Sequence, residues 1–237
     1  MIQRAKGCGM SREQVLHELS GLILDSKQSW PLRVGIDGID AAGKTFLSNE
    51  LAAHLRAKGA EVLRASIDGF HNPKQIRQQR GALSPQGYYH DSFNYPLLKE
   101  YLLEPLAPAG KRLCRASAFD FKSDSPTLAE ELCVTDGCIL LFEGVFLFRP
   151  ELLAEWDLKI FVDIDFQTSL ERALQRDLEL FGNQQEITRR YRERYIPGQQ
   201  LYLESVKPKT RADIIFDNRD FMNPGITLNK KQISQNP

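Results

Sequence analysis

The residues with the clearest chemical meaning lie between Gly38 and Thr45, where the spacing is G-x-x-x-x-G-K-T. Glycines in this pattern let backbone N–H groups approach phosphate oxygens, Lys44 can reach the β- and γ-phosphates, and the Thr45 hydroxyl can bind Mg²⁺. The helix that follows adds the positive end of its dipole to the same anion site. The pattern therefore predicts a site for a nucleoside triphosphate. The expected contacts to the nucleotide are Gly38, Asp40, Ala41, Ala42, Gly43, Lys44, Thr45 and Phe46.

Two carboxylates follow other apolar runs: Asp68 comes after residues 62–67, and Glu143 after residues 138–142. A carboxylate beside the γ-phosphate can accept a proton from an incoming hydroxyl, and a second one can hold Mg²⁺ directly or through water. An unpaired structural carboxylate is costly after a buried run, which favours a metal role for Glu143. Asp68 could instead be a helix N-cap or turn residue. The candidate metal ligands are Thr45, Glu143 and Asp68.

The composition restricts the kinds of partner. The 237 residues carry 31 Lys and Arg and 31 Asp and Glu, so no net field attracts nucleic acid or an anionic membrane. The four cysteines lack the spacing of a zinc site, and the sequence has neither a bilayer-spanning apolar stretch nor a signal-peptide core. We therefore expect a cytoplasmic protein that acts on a small-molecule acceptor, with no nucleic-acid or membrane partner. Homo-oligomer formation is compatible with the sequence.

The apolar runs alternate with segments of helical periodicity, and two more of these runs cover residues 159–163 and 212–216. This alternation predicts an α/β fold, a parallel sheet flanked by helices, with ligands at the carboxyl ends of the strands. Lys44, Asp68 and Glu143 all fall at or just beyond such ends. We expect a single domain over residues 1–237, with a flexible tail from about 225 to 237.

A long stretch at about 69–137 separates Asp68 from the next strand, and it is too long for a simple crossover helix. It contains an aromatic cluster and two strand-like pieces, at 112–121 and 132–135, around a polar turn. We interpret it as a substrate-binding insertion whose hairpin closes over the acceptor. Phe93 and Tyr95 could equally pack in a small core of their own.

Several ordered segments resemble the uridine kinase and phosphoribulokinase family of P-loop kinases, across roughly residues 30–218. They are the phosphate loop, Ile67-Asp68-Gly69-Phe70-His71, Leu141-Phe142-Glu143-Gly144, Phe161-Val162-Asp163-Ile164-Asp165, Arg176-Asp177 and Ala212-Asp213-Ile214-Ile215. The resemblance implies a P-loop kinase fold with ATP and Mg²⁺ as cofactors. It also implies that Asp68 is the general base and that Glu143 supports Mg²⁺.

In that family, arginines after the Arg-Asp pair belong to a lid over the phosphates, which places an Arg-rich lid at about 178–198 in this chain. Guanidinium groups there would stabilise the charge that phosphoryl transfer spreads over equatorial oxygens. We expect Arg176 to act in catalysis, and Arg190 and Arg194 to belong to the lid. A mixed charge run such as 189–194 can also be only a solvated helix face, so both interpretations stay open for a single arginine.

The expected acceptor site departs from the family at one place. Uridine kinases carry Tyr-Asp-Phe-x-x-His in the hairpin, where this chain has the segment 119–124, Phe-Asp-Phe-Lys-Ser-Asp. Because a hydroxyl is lost and an acid replaces the histidine, we expect uridine and cytidine not to be the best acceptors. By resemblance, Asp91 would contact sugar hydroxyls, with His90 beside it. The expected acceptor contacts are Asp91, His90, Tyr89, Phe121, Asp124 and His71.

These features favour an ATP- and Mg²⁺-dependent kinase that phosphorylates a hydroxyl of a small metabolite, either a nucleoside or a sugar-like alcohol. One alternative is a nucleotide-monophosphate or antibiotic-type phosphotransferase on the same scaffold. A second alternative is a nucleotide-binding regulatory protein with little turnover. Asp68 discriminates against the second, because a sensor has no need of a base beside the γ-phosphate.

Overall fold

A computed structural model describes residues 10–127 and 129–229 of the chain. Its centre is a six-stranded sheet with the strand order β10-β9-β8-β1-β7-β2. The strands are β1 (Leu32–Gly38), β2 (Val62–Ser66), β3 (Leu113–Cys114), β4 (Phe119–Asp120), β5 (Ser125–Pro126), β6 (Leu132–Cys133), β7 (Ile139–Gly144), β8 (Leu158–Asp163), β9 (Ile214–Asp217) and β10 (Gly225–Leu228). The helices are α1 (Arg12–Asp25), α2 (Lys44–Ala57), α3 (Lys74–Arg77), α4 (Pro85–Asp91), α5 (Tyr95–Leu98), α6 (Phe166–Arg176), α7 (Leu178–Phe181), α8 (Gln184–Arg190), α9 (Ile196–Val206) and α10 (Pro208–Arg211).

The predicted parallel sheet is confirmed for all of its strands except the edge strand β10. Strand β1 is central and buried throughout, and Val34 is in register with Leu141 of β7 on one side and Leu158 of β8 on the other. Strand β10 pairs antiparallel with β9. The prediction of a flexible tail from about 225 is therefore wrong at its start, because β10 adds main-chain hydrogen bonds to the sheet edge. Residues 230–237 lie outside the described residues.

Alternating side chains of the strands supply two cores, one on each face of the sheet. In β7, Leu140 and Phe142 join one core, whereas Ile139 and Leu141 join the other. The second core is covered by α1 and α2, and α1 begins at a capping box of Ser11 and Gln14. Within the described residues, no helix combines the length and apolarity needed to cross a membrane.

The insertion covers the first core. It consists of α3, α4 and α5, a π-helix at Lys99–Leu103, and the short antiparallel pairs β3 with β6 and β4 with β5. Tyr88, Tyr89 and Phe93 are buried in the same core as the sheet residues and form no separate cluster. The insertion is therefore fixed to the sheet through aromatic side chains.

The lid segment packs directly on the phosphate loop. It contains α7, α8 and a π-helix at Tyr191–Tyr195. Ala41 of the loop shares a small apolar cluster with Ala173 of α6, Ile187 of α8 and Tyr191. This packing brings the Arg-rich segment to the edge of the sheet where β1, β2 and β7 end.

Candidate active site

The phosphate loop joins the end of β1 to the start of α2. Gly43 has a left-handed backbone with φ of 93°, and a Cβ there would lie 2.6 Å from Nδ2 of Asn218. The Asn218 amide donates to the Ala42 carbonyl at 2.7 Å. Lys44 is buried, and its Nζ donates to the carbonyls of Gly38 at 3.0 Å and Ile39 at 2.8 Å. The lysine ammonium is thus held inside the loop.

Phe46 lies at the outer end of this site. It follows Thr45 in α2, and its side chain is 64% exposed. Its ring meets Phe221 edge-on, with 6.3 Å between the ring centroids. Arg12 lies over the other ring, 4.0 Å from the Phe221 centroid. These groups form an exposed aromatic surface beside the loop.

The predicted metal ligands Thr45 and Glu143 are in contact. The Thr45 hydroxyl donates to Oε1 of Glu143 at 3.1 Å. Burial raises the pKa of Glu143, while the positive charge of Lys44 lowers it. Glu143 forms no ion pair with any side chain in the described ranges. A buried carboxylate beside a hydroxyl is a donor set that suits Mg²⁺.

Asp68 lies at the carboxyl end of β2, in a 3-10 turn at Ile67–Phe70. The turn is capped by Ser66, whose hydroxyl accepts from the Asp68 amide at 3.3 Å, so Asp68 is not the N-cap itself. Its carboxylate is exposed at the edge of the sheet where the loop and the insertion meet, which we call the cleft, and it has no hydrogen-bond or ion-pair partner in the described part of the chain. Desolvation by the surrounding protein and the charge of Asp40 raise the Asp68 pKa, while Lys44 and Arg176 lower it.

Arg176 ends α6 and points its guanidinium toward the lid. It donates to both carboxylate oxygens of Asp177, at 2.6 and 3.1 Å, and to the Tyr191 hydroxyl at 3.3 Å. The positive charge of Arg176 lowers the pKa of Asp68. Lys44 follows the loop after β1 and Asp68 follows β2, two strands that both pair parallel with β7, and Tyr191, which Arg176 contacts, packs on the same loop.

Asp40 was expected to contact the nucleotide, but its side chain bonds to the other side of the cleft. Oδ2 accepts from the Tyr88 hydroxyl at 2.8 Å and from Nε2 of Gln199 at 2.9 Å. Tyr88 belongs to the insertion and Gln199 to α9, which follows the lid. The Asp40 backbone is also bonded within the protein: its N–H donates to Oε1 of Gln199 at 2.7 Å, and its carbonyl accepts from the Ser169 hydroxyl at 2.7 Å. The predicted contact of Asp40 with the nucleotide therefore has no free N–H on this residue.

His71 and Phe121 come together as an aromatic wall beside Asp68. The His71 ring centroid lies 5.3 Å from that of Phe121 and 4.7 Å from that of Phe93. Burial lowers the pKa of His71 to about 4, so the ring is neutral at physiological pH. Its Nδ1–H donates to the Asp68 carbonyl at 2.9 Å. His71 therefore holds the turn that carries Asp68.

Three of the other expected acceptor contacts have different surroundings from those predicted. Tyr89 packs in the core, and its hydroxyl contacts Ser205 at 3.3 Å, so it does not line the cleft as expected. Asp91 is buried and accepts from Arg80 at 2.8 Å. His90 is exposed next to the Tyr89 ring. The helix α4 presents Tyr88 to Asp40 in place of Tyr89.

Asp124 lies in the exposed turn of the hairpin, with a left-handed φ of 52°. Its Oδ1 accepts from the Lys74 amide and from the Arg77 guanidinium, both at 2.8 Å. The expectation that this carboxylate faces the acceptor is therefore not met, because it fastens the hairpin turn to α3. The apolar neighbour in the segment, Phe119, is buried.

The two lid arginines differ. Arg190 donates to Glu186 at 2.6 Å on the same helix and lies over the Phe181 ring. Arg194 is buried, donates to the Ala82 carbonyl, and lies 5.6 Å from the Tyr88 ring centroid. Arg194 therefore contacts the insertion, whereas Arg190 contacts only residues of the lid in these interactions.

Sequence reasoning missed several residues that hold the loop. Asp37 is fully buried at the end of β1, accepts from the Gly38 amide at 2.8 Å and from the Tyr202 hydroxyl, and has its pKa raised to about 6 by burial. Arg172 donates to the Asn218 carbonyl at 2.7 Å. The position of Asp37 in a mostly apolar predicted strand could have indicated a buried, hydrogen-bonded carboxylate. The spacing of Arg172 and Arg176 on one helix face was a signal for Arg172.

Comparisons with known proteins agree with this geometry. Residues 34–221 match the model of the Phosphoribulokinase / Uridine kinase family. The chain is 30% identical over 193 residues to uridine-cytidine kinase B of Dictyostelium discoideum, covering 80% of this chain and 76% of that protein. It is 25% identical over 201 residues to a uridine kinase of Deinococcus deserti, covering 84% and 93%.

The solved structure of a possible uridine kinase from Bacillus stearothermophilus superposes with a TM-score of 0.68 at 24% identity. The superposition covers 86% of this chain and 98% of that one. At this identity the likeness concerns the fold alone. The P-loop kinase fold predicted from the sequence is confirmed.

Proposed function

We infer the function of this chain from its family: it belongs to the phosphoribulokinase and uridine kinase family and is a phosphotransferase that acts on a hydroxyl. From this premise we propose that it uses ATP and Mg²⁺ to phosphorylate a nucleoside or a sugar-like polyol. The observation that carries the proposal is Asp68, an exposed carboxylate that has no hydrogen-bond or ion-pair partner among the described residues and lies at the same edge of the sheet as Lys44. A protein that only binds nucleotide gains nothing from such a group.

The residues of the phosphate side have distinct tasks in this proposal. Loop amides and Lys44 bind the β- and γ-phosphates. Thr45 and Glu143 hold Mg²⁺, which when bound neutralises phosphate charge. Arg176 stabilises the negative charge that grows on the transferred group. Arg194 is the lid residue best placed to act on the acceptor side.

Asp68 accepts the proton of the attacking hydroxyl. A base is most effective when its pKa lies close to the working pH, and desolvation moves the pKa of Asp68 in that direction. The protonated form cannot accept a proton. Activity is therefore expected to fall as the pH decreases through the raised pKa of this group.

Two observations bear on the class of acceptor, and they point to different molecules. The names of the relatives point to uridine and cytidine as acceptors. The hairpin segment of this chain supports a different acceptor, since Phe119 is buried and Asp124 is bonded to Arg77. Neither residue supplies a hydrogen-bond donor to a pyrimidine.

The test is ADP release from ATP, with and without Mg²⁺, over a panel of nucleosides, sugars, vitamins, phosphorylated sugars and nucleoside monophosphates. We expect Mg²⁺-dependent release that requires a neutral alcohol, with kcat/KM for uridine below that of the best acceptor. Tight ATP binding without acceptor-stimulated turnover would identify a regulatory protein. A preference for monophosphates would favour the alternative phosphotransferase, and a preference for uridine would contradict the hairpin argument.

A further inference from the structure

Asp40 places a negative charge inside a loop that binds phosphates. A carboxylate there repels the phosphate groups, so it opposes the function of its own loop. The phosphate contacts of such loops come from backbone amides, and these do not require an acid at this position. The Asp40 carboxylate is therefore expected to act on a part of the cleft other than the phosphate groups.

The contacts of Asp40 fix its carboxylate toward the acceptor side. Oδ2 accepts from the hydroxyl of Tyr88 and the amide of Gln199. The Gln199 amide also donates to the Tyr195 carbonyl at 3.0 Å, and its oxygen accepts from the Asp40 backbone at 2.7 Å. The Tyr88 ring is held edge-on by Tyr195 and Phe146. Both donors are thus themselves held in place.

The second oxygen of this carboxylate is unused. Oδ1 of Asp40 has no hydrogen-bond partner in residues 10–127 and 129–229, and the residue is partly exposed. Asp68 is also exposed, and it follows β2 as Asp40 follows β1. Because β1 and β2 both pair parallel with β7, the two carboxylates lie at the same edge of the sheet, where a ligand can contact both.

We propose that Asp40 determines acceptor specificity: its Oδ1 accepts a hydrogen bond from a second hydroxyl of the acceptor, while Asp68 takes the proton of the hydroxyl that is phosphorylated. This inference rests on the proposed function. The acceptor class that it selects is a neutral polyol with two hydroxyls within reach of the two carboxylates. A mono-alcohol leaves Oδ1 without its partner, and an acceptor with its own phosphate is repelled by both acids.

The experiment compares acceptors that differ by one hydroxyl. The pairs are adenosine with 2′-deoxyadenosine and 3′-deoxyadenosine, uridine with 2′-deoxyuridine, D-ribose with 2-deoxy-D-ribose, and glycerol with 1,3-propanediol. We expect the wild type to prefer the full polyol of its best pair over one deoxy analogue by about 10- to 100-fold in kcat/KM, as for a hydrogen bond to a charged group. In Asp40→Ala this preference should shrink to about 3-fold or less, with the KM for ATP little changed.

A second variant guards against misfolding. Asp40→Asn has the same shape and keeps one oxygen for Tyr88 and Gln199, but it presents an amide donor where Oδ1 was. It should weaken the discrimination, because the acceptor hydroxyl can then only accept from a neutral amide and no longer donates to a charged carboxylate. Asp25→Ala changes an exposed carboxylate at the end of α1 and serves as the control, which should keep both rate and preference.

Two results overturn the inference in different ways. Equal losses for polyol and deoxy acceptors in both Asp40 variants would mean that Asp40 only holds Tyr88 and Gln199. A wild type that phosphorylates no alcohol at all would overturn the proposed function, and this inference with it. The two failures are distinguishable because the wild type is active in the first and inactive in the second.

Discussion

The proposed site has two sides that are built in different ways: a phosphate side, formed by the loop at 38–45 with Glu143, and an acceptor side, where the Asp40 side chain meets Tyr88 and Gln199. On the phosphate side, backbone groups of a continuous segment form the site, and the few side chains, such as Lys44 and Thr45, belong to that segment or to the neighbouring strand end. On the acceptor side, side chains far apart in the sequence meet, as in the bonds of Asp40 to Tyr88 and Gln199. Local structure determines the first side and tertiary packing the second.

This contrast has a chemical consequence. A phosphate site made of main-chain donors binds any nucleoside triphosphate in the same way, so it can be kept while the acceptor changes. Specificity then depends on the side chains of the insertion. Substitutions on the two sides are therefore expected to separate rate from acceptor choice.

The largest effect is expected at Asp68, where the two sides meet. Asp68→Asn keeps the shape but cannot accept the proton, so kcat should fall by about 10² to 10⁴-fold while the affinity for ATP changes little. The measurements are steady-state kcat and ATP binding, with a Mg²⁺ titration of the variant. Equal losses in kcat and in ATP affinity would point to a structural or purely metal-binding role and would weaken the contrast.

Lys44→Ala tests the phosphate side alone. The loop is formed by backbone and by Asn218, so the fold should remain, but loss of the ammonium should lower kcat by about 10² to 10³-fold, as for other preorganised groups that stabilise the transition state. Circular dichroism, ATP affinity and rate are measured together. The ratio of kcat/KM between acceptors should not change. A near-normal kcat would contradict the role of the loop.

The sequence predicted the loop and the strand ends around it because their signals are local. The loop is identified by the spacing of its glycines and Lys44. Asp68 and Glu143 are identified by the apolar runs that end just before them. Tyr88 and Tyr89 show the limit, since neighbours on a helix differ by about 100° in direction and only packing decides which one reaches the cleft. The partner of Asp124, Arg77, depends on where α3 packs, and nothing near Asp124 indicates it.

The edge strand β10 was missed for a similar reason. Its four residues, Gly-Ile-Thr-Leu, are partly or fully exposed, and they form a strand because β9 offers unpaired main-chain groups beside them. An alternation over only four residues, flanked by polar residues, is too short to distinguish a strand from a loop. Long-range pairing therefore decided this part of the fold.

Tyr202→Phe tests whether the phosphate loop depends on a side chain that is far away in the sequence. It removes a donor from the buried Asp37 carboxylate and an acceptor from the Phe148 amide, which bonds to the Tyr202 hydroxyl at 3.0 Å. The free energy of unfolding should fall by about 1–3 kcal/mol, as for buried groups left unpaired. Urea denaturation measures it, with Tyr101→Phe as the matched control. A loss no larger than the control would mean that the loop needs no such support.

The pH dependence of this loss follows from the pKa of Asp37, which burial raises to about 6. The Tyr202 hydroxyl stabilises the charged carboxylate and so lowers that pKa. Its contribution is present above pH 6 and is lost as the pH falls through this value. The destabilisation by Tyr202→Phe should therefore be larger at pH 8 than at pH 5. The opposite order would show that the protonated acid is the form the hydroxyl binds.

The smallest expected effect joins the two sides through charge. Asp40 raises the pKa of Asp68, because a nearby negative charge favours the protonated acid. Asp40→Asn removes that charge, so the Asp68 pKa falls and the acidic limb of kcat/KM against pH should move to lower pH. The direction is the test, measured with one acceptor at saturating ATP and Mg²⁺. The Asp25→Ala control should leave the limb in place. If the acidic limb did not move in Asp40→Asn, the charge of Asp40 would have no effect on Asp68, and the two carboxylates would not share the cleft. The phosphate side and the acceptor side would then be electrostatically independent.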